Sequence, residues 1–306
     1  MSEIEENILS TLAYFDLFSY PLNRGEIYLF MPAKCDINNF NYALNRLVNE
    51  QHIHRFEKYY SLRDDHYLIE RRTKGNTHAA ELMITARKVC SFLAKFPYVR
   101  GIGISGSLSK NFADENADID LFIITAKNRL WVARTFMHAF KKVTYLFNKQ
   151  HYFCMNYYID EQNLEIPEKN IYTAIEVVTL IPLQGDVQFV DFFAANAWSR
   201  LFLPNNIMRV STAKPEPKTW FKLWAERVLS NKFGDWLDDR LWKITSGRWT
   251  KKTASKKRNM KGFVMAMETG KHYAKPDPEN FQKNLITRYR LKVATVIKEN
   301  HHSLAN

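Results

Sequence analysis

Two acids near the middle of the chain are the residues whose types and spacing point most directly to chemistry. Asp118 and Asp120 stand two positions apart at the start of the apolar run Ile119–Thr125, which is typical of a β-strand. Because side chains alternate along a strand, both carboxylates should project from one face. Neighbouring carboxylates repel each other and are costly to bury, and a divalent cation removes that cost. An all-oxygen ligand set favours Mg²⁺ or Mn²⁺ over zinc.

A glycine–serine pair precedes these acids. Gly106-Ser107 follows the apolar run Val99–Ser105, which predicts another strand. Glycine lets the backbone approach a phosphate, while the serine hydroxyl and nearby N–H groups can bind its oxygens. A short connection between the two strands would bring this turn to the acids. The pattern predicts a triphosphate held between the turn and a metal ion, which suits in-line attack on the α-phosphorus with pyrophosphate leaving.

The spacing of the two pairs is similar to a known signature. Gly106-Ser107, ten intervening residues and Asp118-Ile119-Asp120-Leu121 follow one another in this chain. This order resembles the motif of the DNA polymerase β-like nucleotidyltransferase superfamily, in which a hydrophobic strand and Gly-Ser precede Asp-hydrophobic-Asp-hydrophobic. The flanking helix and strands extend the likeness to most of residues 80–160.

The resemblance implies a fold, a reaction and a set of site residues. The fold would be α/β (α+β) with a mixed sheet, and the reaction would move a nucleoside monophosphate from an NTP to an acceptor hydroxyl. We expect AMP from ATP, with Mg²⁺ or Mn²⁺ as cofactor. The implied residues are Asp118 and Asp120 as catalytic metal ligands, with Gly106, Ser107, Ser109 and Lys110 binding the nucleotide.

The family's third carboxylate, a metal ligand or general base, has no clear counterpart. The corresponding strand is predicted over Tyr152–Ile159, where alternation places Cys154, Asn156 and Tyr158 on one face. Asn156 therefore occupies the expected catalytic position. An asparagine oxygen can ligate a metal, but the amide cannot serve as a carboxylate base.

Two other acids could take the missing role, and their weakness leaves a second function open. Asp160 continues the alternation at the strand end, and Glu176 lies on the next helical pattern. If neither acts, the chain would be a catalytically reduced nucleotide-binding or nucleic-acid-binding regulatory protein.

The elements that must position these residues fall into three segments. Residues 1–66 contain three helical patterns followed by two strand-like pieces, an order that resembles a winged helix-turn-helix. Residues 67–195 alternate helix and strand patterns, which is typical of a sheet covered by helices, and the resemblance implies that this segment is the nucleotidyltransferase domain. Residues 196–306 are aromatic and basic, and we predict a helical domain there.

The winged-helix-like segment has few of the residues that DNA binding requires. Its third helix, predicted over Asn38–Asn49, carries one basic residue, Arg46, and is followed by Glu50. DNA binding requires several Lys or Arg side chains to neutralise phosphates. We therefore favour a packing or partner module.

The basic charge of the chain is concentrated in its last third. Residues 1–208 hold 22 Lys/Arg against 23 Asp/Glu, whereas residues 209–306 hold 22 against 9. The run Arg248–Lys261 has seven basic residues and no acid. It is a candidate site for nucleic acid or another anionic partner, with Trp242 and Trp249 adding stacking or interfacial contacts. A solvated loop is the interpretation that we favour.

The remaining patterns concern the aromatic stripe and the compartment. Trp220–Trp242 repeats apolar residues at helical spacing, which we interpret as core between C-terminal helices. The three cysteines are far apart and have no metal-ligand spacing, which suits a reduced compartment. The sequence contains no apolar run long enough for a transmembrane segment and begins without a basic and apolar leader, so we expect a cytoplasmic protein.

Overall fold

The computed structural model describes residues 1–115, 117–144, 154–207, 211–256, 258, 264, 267–276 and 280–303. The helices in this part of the chain are α1 (Glu3–Asp16), α2 (Arg24–Phe30), α3 (Ile37–Asn49), α4 (Tyr67–Leu93), α5 (Gly106–Ser109), α6 (Leu130–Thr144), α7 (Ile171–Thr179), α8 (Asp186–Ala195), α9 (Trp220–Leu229), α10 (Lys232–Ala254) and α11 (Phe281–Ser303). The strands are β1 (Leu22–Asn23), β2 (His54–Phe56), β3 (Tyr59–Ser61), β4 (Val99–Ile104), β5 (Asp120–Thr125), β6 (Cys154–Asp160), β7 (Ile181–Gln184), β8 (Met267–Thr269) and β9 (Tyr273–Pro276). The predicted mixed α/β class is confirmed.

The N-terminal region consists of α1, α2 and α3 with a small antiparallel sheet in the order β1-β3-β2. Local sequence sets the helix starts, because Ser2 and Asn23 each form a capping box and Asp36 caps α3. The sequence predicted two strands here. The third, β1, is two residues long and pairs Leu22 with Tyr60, which is too short to produce an alternating pattern.

The central sheet has six strands in the order β7-β4-β5-β6-β9-β8. Among the described strands, β5 and β6 form the parallel pair, and α6 connects them. The other neighbours are antiparallel. Strand β9 comes from the segment predicted to be purely helical, and it pairs Tyr273 with Ile159 of β6. That part of the prediction is wrong, because two C-terminal strands extend the sheet.

Helices cover both faces of this sheet, which explains the continuous apolar run of β5. Leu121 and Ile123 face a core that includes Trp131 of α6 and residues of α4. Phe122 and Ile124 face the other core, which includes Phe189 of α8. A strand buried on both faces has few positions for polar residues. Asp120, at the first position of the strand, marks the point where this burial ends.

The C-terminal helices pack on earlier parts of the chain. In α11, Tyr289 makes an edge-to-face contact with Tyr14 of α1 at 5.5 Å, and Lys292 forms an ion pair with Asp16. The division of the chain at residues 66 and 195 stays a prediction. Elements from the last segment nonetheless join both the N-terminal helices and the central sheet.

Several predicted elements have different limits in the structure. The helix predicted over Asn128–Phe147 is α6, which begins at Leu130; residues 145–153 lie outside the described chain. The basic run 248–261 is helical as far as Ala254, where α10 ends, and residues 257 and 259–261 lie outside the described chain. No helix in the described ranges combines the length and apolar character needed to cross a bilayer.

Candidate functional site

The turn after β4 brings the predicted glycine and one predicted acid into contact. Gly106 begins α5 with φ +68°, a conformation that favours glycine. A Cβ atom at this position would lie 2.3 Å from Oδ2 of Asp120. The backbone N–H of Ser105 also donates to the Asp120 carbonyl at 3.0 Å. Only a residue without a side chain allows the Asp120 carboxylate to pack against this turn.

The two predicted metal ligands occupy different kinds of backbone. Asp120 is the first residue of β5, whereas Asp118 lies in the connection before it. The sequence argument assumed that strand alternation fixes the direction of the Asp118 side chain. Because Asp118 lies outside β5, that assumption does not apply to it. Burial and the negative charges of Asp120 and Asp118 raise the pKa of the Cys154 thiol to about 12. Both carboxylates thus act on the start of β6.

Asn156 contacts Asp120 directly. Its Nδ2 donates to Oδ1 of Asp120 at 2.5 Å, and its Oδ1 accepts from the Cys154 thiol at 3.3 Å. The pairing of β5 with β6 shifts here, because Leu121 pairs with Met155 while the next residue, Phe122, pairs with Tyr157. Asn156 is the extra residue of this bulge.

Because of this bulge, the face predicted for the Tyr158 side chain is wrong. The sequence placed Tyr158 beside Asn156, but the extra residue reverses the alternation after it. Tyr157 instead stacks on Phe122 at 5.3 Å and lines the same cleft as Asn156. Tyr158 is buried in the core on the other face of the sheet.

Lys110 is held beside the turn by an ion pair. Its Nζ donates to the Gly106 carbonyl at 3.0 Å and lies 2.7 Å from Oε1 of Glu176 on α7. The hydroxyl of Ser109 also donates to the Gly106 carbonyl, at 2.9 Å, and so stabilises the turn itself. Ser107 is exposed and lines the cleft together with Gly106 and Lys110.

The two further acid candidates differ sharply. Glu176 lines the cleft, whereas Asp160 is fully buried at the far end of β6. The carboxylate of Asp160 contacts Nδ1 of His272 at 2.8 Å and accepts from the Asn128 backbone N–H at 3.2 Å. Asp160 pairs with Thr125, which lies five residues after Asp120 in β5. At about 3.3 Å per residue, Asp160 is therefore about 16 Å along the strands from Asp120. It is therefore a structural acid.

A cleft of about 1050 Å³ is lined by Gly106, Ser107, Lys110, Asp120, Asn156 and Glu176, but not by Asp118, Ser109 or Asp160. The cleft lies between α1, the β5–β6 part of the sheet, α7 and α11, and much of its wall is aromatic. The aromatic residues that line it are Tyr14, Phe15, Phe18, Tyr20, Phe112, Phe122, Tyr157, Tyr172, Phe192 and Phe281. Its depth and mixed lining are typical of small-molecule sites.

The cleft contains basic residues that the sequence did not indicate. Arg71 of α4 lies over the Phe112 ring at 4.5 Å and donates to both carboxylate oxygens of Asp114 at 3.1 Å. Lys275 of β9 forms ion pairs with Glu168 and Glu268. Both residues are far in sequence from the Gly-Ser turn, so no local spacing could have revealed them.

The acidic part of the site is small. Among the described residues, no three His, Cys, Asp or Glu side chains are arranged as a ready metal cluster. Of the predicted donors, Asp120 and Asn156 line the cleft beside the turn, whereas Asp118 is not among the residues that line it. Carboxylate oxygen is the ligand type that Mg²⁺ prefers, whereas the Asn156 atom that faces Asp120 is the amide nitrogen.

Comparison with known proteins provides no relative for this chain, since no protein-family model, curated protein or solved structure matches it. The geometry of the site therefore carries the functional argument.

Proposed function

We propose that this chain is a Mg²⁺-dependent nucleotidyltransferase that moves a nucleoside monophosphate from an NTP to an acceptor hydroxyl. The observation that carries the proposal is the contact of the Asp120 carboxylate with Gly106, at one end of a cleft of about 1050 Å³. A ligand cleft of roughly 300–1,000 Å³ is usual for a small molecule, so an NTP has room here.

The donor set beside the turn fits a hard dication. Asp118 and Asp120 would hold the ion, and the Nδ2 of Asn156, which donates to Oδ1 of Asp120, would orient that carboxylate. Mg²⁺ commonly binds through one or two carboxylates and keeps water and phosphate oxygens as its other ligands. When bound, the ion would offset the charge that develops on the phosphates.

Two cations of the cleft could bind phosphate oxygens by giving up their present carboxylate partners. Lys110 is paired with Glu176 at the turn, and Arg71 is paired with Asp114. An NTP carries more negative charge than either carboxylate, so its phosphates would compete for these donors. Gly106 lets the backbone of the turn approach the phosphate closely.

The aromatic wall is suited to the nucleoside. Tyr172 and Phe281 meet edge to face at 5.8 Å, and both line the cleft. Every nucleobase has a π-face that can stack on such rings. This wall does not select a base, and ATP is the first substrate to test.

Asn156 favours a second candidate, a nucleotide-binding protein with reduced catalysis. Asn156 holds Asp120 through a hydrogen bond but cannot remove a proton from an acceptor hydroxyl. Glu176 lines the cleft and is paired with Lys110, which also donates to the Gly106 carbonyl of the turn. We propose Glu176 as the group that accepts the proton of the acceptor hydroxyl. Turnover separates the two candidates, because both require NTP binding.

The test of the proposal is pyrophosphate release from each of the four NTPs, together with transfer of α-labelled phosphate. We expect Mg²⁺-dependent turnover that falls about 100-fold or more in Asp120→Asn. Asp64→Asn is the matched control, because that side chain is exposed at the edge of the N-terminal region. Equal turnover in wild type and Asp120→Asn would contradict the proposal. NTP binding without turnover would favour the second candidate.

We also propose that the N-terminal region is a winged-helix-like packing or partner module. Its helix order and three-stranded sheet support this. On α3, Arg46 is held by Glu50 at 2.8 Å and by Glu5 at 3.3 Å. The basic residue expected to reach DNA is thus engaged within the protein.

A further inference from the structure

Helix α9 has its polar and apolar faces reversed. Trp220, Trp224 and Val228 follow each other every fourth residue and form an outward stripe, with Trp220 79% and Trp224 59% exposed. Lys222 faces the protein instead and is 1% exposed. Its Nζ donates to the backbone carbonyls of Ala94 and Val99. The two buried positions of this helix hold Lys222 and Ala225, whereas both of its tryptophans are exposed.

The outward stripe continues onto α10. Phe233 and Trp236 stack at 5.6 Å, and each is more than half exposed. The guanidinium of Arg240 lies over the Trp236 ring at 5.6 Å, and the exposed Lys243 and Lys251 follow on the same face. This corrects the prediction that the aromatic residues between Trp220 and Trp242 form core. Periodicity identified the helices, but it did not identify which face is buried.

The two tryptophans expected to meet a partner behave in the opposite way. Trp249 is buried, and the guanidinium of Arg134 lies over its ring at 4.7 Å. Trp242 is half-buried against the sheet core. The exposed aromatic surface is therefore the α9–α10 stripe, which we define as Trp220, Phe221, Leu223, Trp224, Val228, Phe233, Trp236 and Ile244.

The charge around this stripe is positive. Residues 218–256 contain ten Lys/Arg and four Asp/Glu. Each of the four acids is engaged by another element. Glu226 pairs with Arg100, Asp235 with Arg129 and Asp239 with Lys271, and Asp238 accepts from the Val132 backbone N–H. Three of the four acids are thus paired with a cation outside α9 and α10, while most of the cations face solvent.

We propose that the α9–α10 stripe docks the protein on an anionic lipid bilayer. Tryptophan beside Lys and Arg is the composition of helices that lie in the interfacial plane of a membrane. The aromatic and aliphatic side chains enter the headgroup–acyl boundary, and the surrounding cations contact anionic headgroups. This proposal is independent of the nucleotidyl transfer proposed above.

The mixture of side chains favours lipid over the other anionic partner, nucleic acid. Base stacking uses flat aromatic rings, whereas this stripe includes the aliphatic side chains of Leu223, Val228 and Ile244. Aliphatic side chains gain little against bases and much against acyl chains.

The test is flotation of the full chain with lipid vesicles. We expect binding to phosphatidylcholine vesicles that contain about 30% phosphatidylserine, weaker binding to pure phosphatidylcholine, and a loss in high salt. Trp220→Ser/Trp224→Ser should reduce binding about tenfold or more. The matched control is Tyr42→Ser/Tyr67→Ser, which removes two exposed aromatics of the N-terminal half. The control should bind as wild type does.

A second measurement does not depend on the variants folding. Brominated lipids should quench the tryptophan fluorescence of the wild-type protein on anionic vesicles. Absence of both flotation and quenching would overturn the proposal, as would equal binding by Trp220→Ser/Trp224→Ser in a folded state. A requirement for Trp220 and Trp224 in single-strand nucleic acid binding or self-association, without vesicle binding, would also overturn it.

Discussion

At the scale of single residues, Gly106 lets the turn after β4 pack against the Asp120 carboxylate. Its positive φ and its contact with Asp120 are two separate reasons for glycine. The sequence predicted that this turn and the acid would meet, because strand, turn and strand follow in a short interval. The steric reason became visible only in the fold.

Replacing Gly106 by alanine should damage both stability and the site. The added Cβ would meet the Asp120 carboxylate, and alanine tolerates φ +68° poorly. We expect a loss of about 1–3 kcal/mol in the free energy of unfolding, together with a loss of NTP turnover. Chemical denaturation and pyrophosphate release measure the two effects.

The matched control for this change is Gly247→Ala. Gly247 lies inside α10, and apart from the neighbouring backbone of that helix no atom comes within 4 Å of an added Cβ. Alanine should stabilise the helix by roughly 0.5–1 kcal/mol. If Gly106→Ala behaved like this control, the close contact with Asp120 would have no role.

The bulge in β6 shows where residue-scale prediction ended. Alternation along the strand identified Asn156 as the residue near Asp120, and the two side chains do meet. It then placed Tyr158 on the same face, which is wrong. A single extra residue changes every later position, and the sequence carries no mark of it.

At the scale of elements, an ion pair between buried Arg72 and half-buried Glu26 joins α4 to the N-terminal region. Arg72 lies 2.7 Å from Glu26 and donates to the Pro21 carbonyl. Its guanidinium also lies between the rings of Tyr20 and Tyr59, at 3.8 and 4.8 Å from their centroids. Because Tyr20 in turn donates to the Lys110 carbonyl at 2.5 Å, this cluster reaches the Gly-Ser turn.

Replacing Arg72 by methionine should therefore destabilise the protein strongly. The change removes the cation partner of the Glu26 carboxylate, which is 25% exposed, and the hydrogen bond to Pro21, which should together cost about 1–3 kcal/mol. Urea denaturation measures the loss. Lys74→Met is the control on the same helix, because the Lys74–Glu115 pair is exposed and its loss should leave stability unchanged. Similar losses in the two variants would show that Arg72 does not join these elements.

Elements were predictable where their pattern was long and regular. The strand before the turn, β5 and most helices follow from hydrophobic spacing. Strands β8 and β9 were missed because they are three and four residues long and carry charged residues and a proline. Helix α9 was predicted, but the face predicted to be buried is the exposed one. The long Lys222 side chain is buried instead because it reaches two backbone carbonyls, which no sequence pattern reveals.

At the scale of the whole molecule, stability should depend on pH through Asp238. Burial raises the pKa of this carboxyl to about 7, while hydrogen bonds from the start of α6 oppose the rise. The folded state keeps the proton up to near neutral pH, whereas the unfolded chain releases it near pH 4. The stabilising contribution is therefore complete at low pH and is lost as pH rises through about 7.

Asp238→Asn should flatten this dependence. We expect the difference in unfolding free energy between pH 5 and pH 8 to shrink by an amount on the order of 1 kcal/mol or more. Denaturation at the two pH values measures it. The exposed Asp64→Asn variant should keep the wild-type slope. An identical slope in Asp238→Asn would show that the Asp238 carboxyl does not titrate in this range.

The arrangement of the whole chain explains why the cleft was not predictable. Its walls come from α1, the central sheet, α7 and α11, so residues far apart in sequence meet there. The sequence motif covers only the turn and the start of β5. It predicted the chemistry of one end and nothing about the aromatic wall or Arg71.

The central claim is that a metal ion and a nucleotide bind together at the Gly106 turn. Its most direct test is to measure, by electron paramagnetic resonance, the binding of Mn²⁺ in the presence of a non-hydrolysable NTP. We predict that wild-type protein immobilises the ion only when the nucleotide is present. Asp118→Asn and Asp120→Asn should each abolish this signal, and Asp64→Asn should retain it. A signal of wild-type strength in Asp120→Asn would contradict a metal–nucleotide site at the Gly106 turn.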